Sequence, residues 1–491
     1  MKPVSQIVPL PGGMNLLKPV VKASLVSLLA LRAGWGQLPP PPQAVPNGPA
    51  PVIQQRAILS AGGSVPSGQA TAETLRISLR DALQRGLKYN LGVLTNQDSV
   101  DLASAERRRT LAALLPNIYA GATQHSLQAD LAVFGLSIPG FPSVVGPFGY
   151  QDVRAFAQQT VFDRPSLRNL QSSTESVRAA KLSAESARNL VVQAVSNAYL
   201  QVITDSARAV AIQAEVETAQ ALLDRATDQK KAGTVAGIDV LRADVQFRTE
   251  KQRLLAQKNQ VEKDKLVLAR AIGLPTGQNF QLTDSLPFSP LDRALDDLLK
   301  QAWEKRADYR AAQMQVRAAE LAVQSARSER LPSVVVQADY GDVGHTLANS
   351  HGTYNFTAGV RVPLYAGGRI QTDIDQAEVT LRNRKNAVEE LRGRIDSDVR
   401  TAFLDLQSSA EQVSVAKGNA ELAGQTLTQA KDRFGAGVSD NIEVVQAQQL
   451  LAAANENYIS SLSAYNAAKI ALATALGVAE EGVPQFLDLK P

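Results

Sequence analysis

The chain has no cysteine among its 491 residues. Disulfides, thiolate metal sites, a cysteine nucleophile and a lipid-modified N-terminal cysteine are therefore excluded. Histidine is almost as scarce. His125, His345 and His351 form no spaced cluster on one helix, so no histidine metal site is expected. After the N-terminal segment no run of about 18 apolar residues occurs, so no transmembrane helix is expected there. Charge of one sign is lacking too. The net charge of +4 is small and dispersed, without a basic stripe interleaved with aromatics, and nucleic acid is not an expected partner. No Walker loop, GxSxG, HExxH or post-strand GxGxxG is present. The chain is not expected to be an enzyme or to carry a cofactor.

Proline is missing where helices would need it to be. Twelve of the 24 prolines precede residue 67, in stretches such as Pro39-Pro40-Pro41-Pro42, which reads as a polyproline or disordered spacer. None falls between Ser166 and Leu274 or between Ile370 and Val483. A proline inside a helix costs about 3 kcal/mol, so these Ala-, Leu-, Gln-, Glu-, Lys- and Arg-rich stretches predict long helices. Leu190, Ala194, Ala198, Val202 and Val210, and again Leu391, Ile395, Val399 and Phe403, recur at helical spacing. Their stripe is thin and small-sided, which predicts helices that must pack laterally as coiled coils. Ahead of the spacer, two cationic stretches, the apolar run Ala23–Leu31 and small residues at Ala33, Gly34 and Gly36 read as a Sec-type signal peptide.

The sequence also repeats itself. Leu115-Pro116 recurs as Leu331-Pro332, and Asp81-Ala82 as Asp297-Leu298, at an offset of 216. Ala198-Tyr199-Leu200 recurs as Ala402-Phe403-Leu404, Ala232-Gly233 as Ala436-Gly437, and Ile238-Asp239-Val240-Leu241 as Ile442-Glu443-Val444-Val445, at an offset of 204. The change in offset falls within 117–165, so the first copy carries the longer loop there. The expected organisation is a signal peptide at 1–36, a Pro-rich disordered spacer at 37–72, repeat 1 at 73–275, repeat 2 at 276–478 and a tail at 479–491. Each repeat is expected to run helix (about 79–114 and 292–330), β-hairpin, very long helix (about 166–230 and 369–434) and returning helix (about 238–272 and 441–476).

The predicted strands alternate. Tyr354, Phe356, Ala358, Val360 and Val362 share one face, and Asn355, Thr357, Gly359 and Arg361 the other. Val334, Val336, Ala338 and Tyr340 likewise oppose Ser333, Gln337 and Asp339. Eleven of the 24 aromatics lie in Pro116–Phe162 and Pro332–Tyr365, where membrane girdles would need them. This is the dyad of an outer-membrane barrel, although a soluble half-buried sheet alternates in the same way. Four strands cannot close such a barrel, and three subunits would supply twelve. The expected fold class is mainly α with membrane β: a long-helix α-barrel continuous with a β-barrel, four strands per subunit, two internal repeats, trimeric.

Val362-Pro363-Leu364-Tyr365-Ala366-Gly367-Gly368-Arg369 resembles the strand-to-helix corner of TolC-like outer-membrane efflux proteins. The turns Lys231-Ala232-Gly233 and Phe434-Gly435-Ala436-Gly437 look like that family's inner helical tips. The resemblance covers about Leu75 to Val478. It implies a homotrimeric, passive outer-membrane duct whose helical barrel stands in the periplasm, with a periplasmic adaptor and an inner-membrane pump docking at its inner end. Asp239 and Glu443 follow the turns at equivalent places, and threefold symmetry would make each a ring of carboxylates. Acidic residues there also simply complement the helix dipole. With Asp440 they are the candidate periplasmic gate. Phe434 stands where the family commonly has a tyrosine, and Ser439 and Gln446 where an arginine and a second gate aspartate can occur, which implies a thinner closed-state network. Gly233, Thr234, Gly437 and Val438 are the candidate adaptor-docking turns, and Pro363, Gly367 and Gly368 the corner. A non-pore coiled-coil protein of the cell envelope is the competing expectation.

Overall fold

A computed structural model describes residues 63–135, 139–140, 142–285, 288–291, 293–436, 438–439 and 441–487. The predicted signal peptide and most of the spacer lie outside the described residues. The chain divides into two compact units. The described part of one comprises the stretches around both hairpin turns, Ala120–Ala155 and Asp339–Asn355, and the other holds the helices with the remaining strand segments.

The first unit is sheet. Strands β2 (Asn117–Asp130), β3 (Val144–Phe162), β5 (Ser333–Gly344) and β6 (Ser350–Arg361) hydrogen-bond in the order β2-β3-β5-β6. Thr123 reaches the Asp152 carbonyl, Gly149 receives His345, and Gly341 accepts from Thr353. Rising numbers on one strand meet falling numbers on the next, so neighbours are antiparallel. Asp339, one of the polar set predicted from alternation, joins a polar cluster here. Arg154 on β3 donates to its neighbour Asp152 at 3.2 Å, to Asp339 on β5, and to Thr353 on β6 at 2.9 Å.

The second unit is mostly helix: α1 (Leu79–Tyr89), α2 (Leu91–Ala112), α3 (Arg164–Lys231), α4 (Gly237–Ala271), α5 (Leu295–Lys305), α6 (Ala307–Ser328), α7 (Arg369–Gly435), α8 (Asn441–Ala475) and α9 (Ala479–Phe486). The 68 residues of α3 and 67 of α7 give helices about 100 Å long. Buried positions on α7 run Ala402, Leu406, Ser409, Val413, Ala416, Ala423, Leu427, Ala430 and Phe434. Steps of four and three are the seam of a coiled coil, and the small side chains let the partner approach closely. Ala402 continues this seam where Phe403 was expected. On α3 the deeply buried residues are Val191, Val192, Val195, Tyr199 and Val202, while Leu190, Ala194 and Ala198 are half-buried and Val210 is exposed. The wider buried face arises because α1, α4 and α8 all pack against this stretch, in one core with Leu83, Leu268 and Ile470.

The first helix of each half is broken where one continuous helix was expected, for a tertiary reason. Asn90 ends α1, caps α2 by accepting from the Gly92 amide at 2.8 Å, and donates its side-chain amide to the Ala271 carbonyl at the end of α4. Arg306 separates α5 from α6 and reaches the Ala475 carbonyl at the end of α8. Each break thus satisfies a carbonyl that a helix end leaves without a partner. The two residues are 216 apart and the two carbonyls 204 apart, matching the offsets in the sequence.

Two further expectations are corrected. The spacer does not stay loose to residue 72: Val65 bonds Tyr89, Ser67 bonds Gly273 and Thr71 bonds Gln278. These contacts lead into a two-stranded parallel sheet of β1 (Leu75–Ile77) and β4 (Phe280–Leu282) that periodicity did not reveal. Nor is the described part of the C-terminal segment a free tail. Helix α9 buries Ala479 and Val483, Lys469 donates to the Phe486 carbonyl at 2.8 Å, and Arg188 holds Glu480.

Candidate gate and docking turns

Helix α3 ends in a turn dictated by a glycine. The Gly233 amide bonds Lys230 and the Thr234 amide bonds Gln229, both at about 3 Å, with Gly233 at φ +75°. This is the Schellman arrangement, which places the residue after the cap in the left-handed region where a Cβ is strained. The Thr234 hydroxyl adds a second bond to the Gln229 carbonyl at 2.9 Å. At the end of α7 the Val438 amide bonds Arg433 at 3.0 Å, the corresponding six-residue closure. Gly437 and Asp440 lie outside the described residues.

Asp239 and Glu443 occupy the first turns of α4 and α8. Asp239 pairs with Arg242, one turn along its own helix, at 3.4 Å. Glu443 pairs with Arg433 across the turn at 3.5 Å. Both pairs are solvent-facing, so each contributes about 1 kcal/mol or less. The first turns of α4 and α8 flank an open groove of about 380 Å³ lined by Ile238, Leu241, Val245, Ile442 and Val445, with Arg242, Gln246 and Gln446. Neither Asp239 nor Glu443 lines it. Within one protomer the space between the turns is thus walled mainly by aliphatic side chains. Phe434 does not face that space. It packs with Leu427, Ala430, Val444 and Ala447, under the Arg225 guanidinium of α3 at 5.4 Å.

The arginines beside these carboxylates were not among the sequence-predicted site residues, although one of them carried a signal. Arg242 was legible, because three-residue spacing on a helix pairs it with Asp239. Arg433 and Arg225 were not, because their roles depend on how α7 meets α8 and α3.

At the other end of α7, the chain leaves β6 through Pro363 and turns on Gly367 (φ +63°) and Gly368 (φ +83°). Gly368 is the N-cap residue and gives no side-chain cap. The equivalent corner before α3 is built differently. Asp163 caps the helix by accepting from the Ser166 amide at 3.0 Å, and Pro165 sits in the first turn. Among the described residues no group of His, Asp or Glu is placed to hold a metal ion, and no helix is long and apolar enough to cross a membrane.

The profile of the family described as "Outer membrane efflux protein" matches residues 82–274 and again 298–478, together well over half the chain. The chain belongs to this family. As a member it is an outer-membrane efflux component with its helices in the periplasm. This efflux protein is 24% identical over 445 residues to the toluene efflux pump outer membrane protein TtgF of Pseudomonas putida, covering 86% of this chain and 88% of that one. It is 24% identical over 317 residues to the pyoverdine export outer membrane protein OpmQ of Pseudomonas aeruginosa, covering 62% of this chain and 65% of that one. In fold it is similar to the Campylobacter jejuni CmeC outer membrane channel, with a TM-score of 0.72 at 14% identity, over 86% of this chain and 92% of that one. The outer membrane protein VceC of Vibrio cholerae gives 0.69 at 18% identity, over 81% and 96%.

Proposed function

We propose that three copies of this efflux protein form one passive duct. Three sets of four strands close a twelve-stranded barrel in the outer membrane, and the paired long helices close a second barrel across the periplasm. The observation that carries this reading is the sheet. Its order leaves β2 and β6 at open edges within the chain, and Tyr354, Phe356 and Val360 on β6 are 81, 66 and 69% exposed. An apolar face suits lipid, but lipid does not tolerate unpaired backbone, so the edges must meet other copies. The two halves, 73–275 and 276–478, are copies of one unit; helix lengths of 11, 22, 68 and 35 residues in one and 11, 22, 67 and 35 in the other support this.

In this reading the turns at Gly233-Thr234 and Gly437-Val438 receive the helical tips of a periplasmic adaptor, and an inner-membrane pump supplies the energy. Relatives named for toluene and pyoverdine make small organic molecules the expected cargo class. Asp239, Asp440 and Glu443 form carboxylate rings at the constriction. Heat-modifiable migration from an outer-membrane fraction tests the assembly, and a monomer in the soluble periplasmic fraction refutes the duct. For the gate, Asp239→Ala with Glu443→Ala is expected to raise single-channel conductance and weaken block by divalent cations about tenfold, since each lost charge near an ion is worth on the order of 1 kcal/mol. Unchanged conductance and block would leave these carboxylates as helix-start residues only.

A further inference from the structure

About 40 Å along α3 from its end at Lys231 lies an ionic girdle that the duct reading does not use. Asp205 on α3 is buried and accepts from Gln201 at 2.6 Å, Arg208 at 2.9 Å and Gln257 of α4 at 3.0 Å. Arg208 also holds Glu456 of α8 at 2.8 Å and the Ser460 hydroxyl at 2.9 Å. Facing Asp205 from α4 is Asp264. Its Oδ1 accepts from Gln260 at 2.9 Å, but its Oδ2 is buried with no hydrogen-bond partner. On the same α3–α4 interface Glu215 faces Glu250, and Arg253 bridges the two at 3.3 and 2.8 Å. Five carboxylates on three helices thus meet two arginines, and Lys263 is a further cation beside Asp264.

An unpartnered carboxylate oxygen set against a second carboxylate is strongly disfavoured when both are ionised, and one shared proton removes the conflict by turning Oδ2 into a donor. We propose that this girdle is a proton-operated clamp. One proton shared by Asp205 and Asp264, and a second on Glu215, hold α3 against α4, while Arg208 ties α3 to α8; loss of the protons loosens α4 at mid-length. Burial and the facing Asp205 carboxyl push Asp264 up to about 6, while Asp205, though buried, is held low by bonds from Asp264, Arg208, Gln201 and Gln257. Burial pushes Glu215 up to about 7; Arg253 opposes this and Glu250 adds to it. The sign follows. Groups raised in the folded state stabilise it fully below the ordinary carboxylate range, and that stabilisation is lost as pH rises through about 6 to 7. Acid therefore tightens this helix pair. The packing claim stands independently of the duct reading.

The test is hydrogen–deuterium exchange of the full-length protein in detergent, at pH 5.5 and 8, corrected for the intrinsic pH dependence of amide exchange. Peptides from 246–266 are expected to lose protection about tenfold at the higher pH, whereas peptides from 374–384 of α7, where Arg384 bonds Gln315 and Glu378 pairs with Arg327 of α6, hold theirs. Asp264→Asn with Glu215→Gln mimics the protonated state and should keep the protected level at both pH values. Wild-type protection of 246–266 that does not change with pH would overturn the clamp. So would a double variant that retains the wild-type pH dependence, or one loosened at both pH values, which would show that the ionised carboxylates hold the helices.

Discussion

Replacing Gly341 with valine is expected to abolish the heat-modifiable, outer-membrane form of the protein. A Cβ at 341 would overlap the Val153 carbonyl of β3 and lie 2.6 Å from the Arg154 Cα. Both are backbone atoms, so no rotamer change relieves the contact. The strand pair must separate, and each ladder bond lost in a membrane leaves groups that water cannot satisfy. The expected cost is about 3 kcal/mol or more. It falls where Arg154 reaches over to Asp339 and Thr353, so the polar girdle opens with the ladder. Gly359→Ala on β6 is the control, because a Cβ there meets nothing within 4 Å. Normal outer-membrane assembly of Gly341→Val would show that the sheet does not depend on this close approach.

Arg306→Met is expected to be the most damaging single change among the helix junctions. The guanidinium donates to Asp308 at 2.7 Å and Asp398 at 3.0 Å, and its side chain is 12% exposed. Methionine keeps much of the packing and removes the charge, leaving two carboxylates without their cation. Removing one member of a buried pair costs about 3–5 kcal/mol, and partial exposure of Asp398 reduces this to about 2–3 kcal/mol. Thermal unfolding followed by the helical circular dichroism signal measures it. The double variant Arg306→Met/Asp398→Asn should recover part of the loss, because one of the stranded charges is then gone; a double variant less stable than the single would count against this account.

The length and order of the two long helices and their returning partners were legible because proline is excluded from their interiors and because the chain repeats. The seam through Leu391, Ile395 and Val399 was legible for the same reason. Residues whose partners come from distant chain segments were not. Asn90 reads locally as a helix-capping type, but its bond to Ala271 spans the whole of the first half. The three-residue strands β1 and β4 are too short to show alternation, and they form only because α1 and α3 bring their backbones together around Tyr199, whose hydroxyl donates at 2.7 Å to Asp284. The acidic girdle was invisible for a related reason. Asp205, Asp264 and Glu456 belong to three helices, and only the helix registers decide that they share one layer. At the candidate gate, Asp239 and Glu443 were found by duplication; Arg242 could be read from its spacing to Asp239, and Arg433 only from the turn geometry.

The two strand-to-helix corners differ in stiffness. The one before α3 is pinned by the Asp163 cap and Pro165, which fixes a backbone angle. The one before α7 is two glycines with open space around them. The backbone before α3 therefore has fewer accessible conformations than the backbone before α7. Each protomer then has one stiff corner and one pliable one, so the first turn of α7 can change its angle to β6 at less cost than α3 can change its angle to β3.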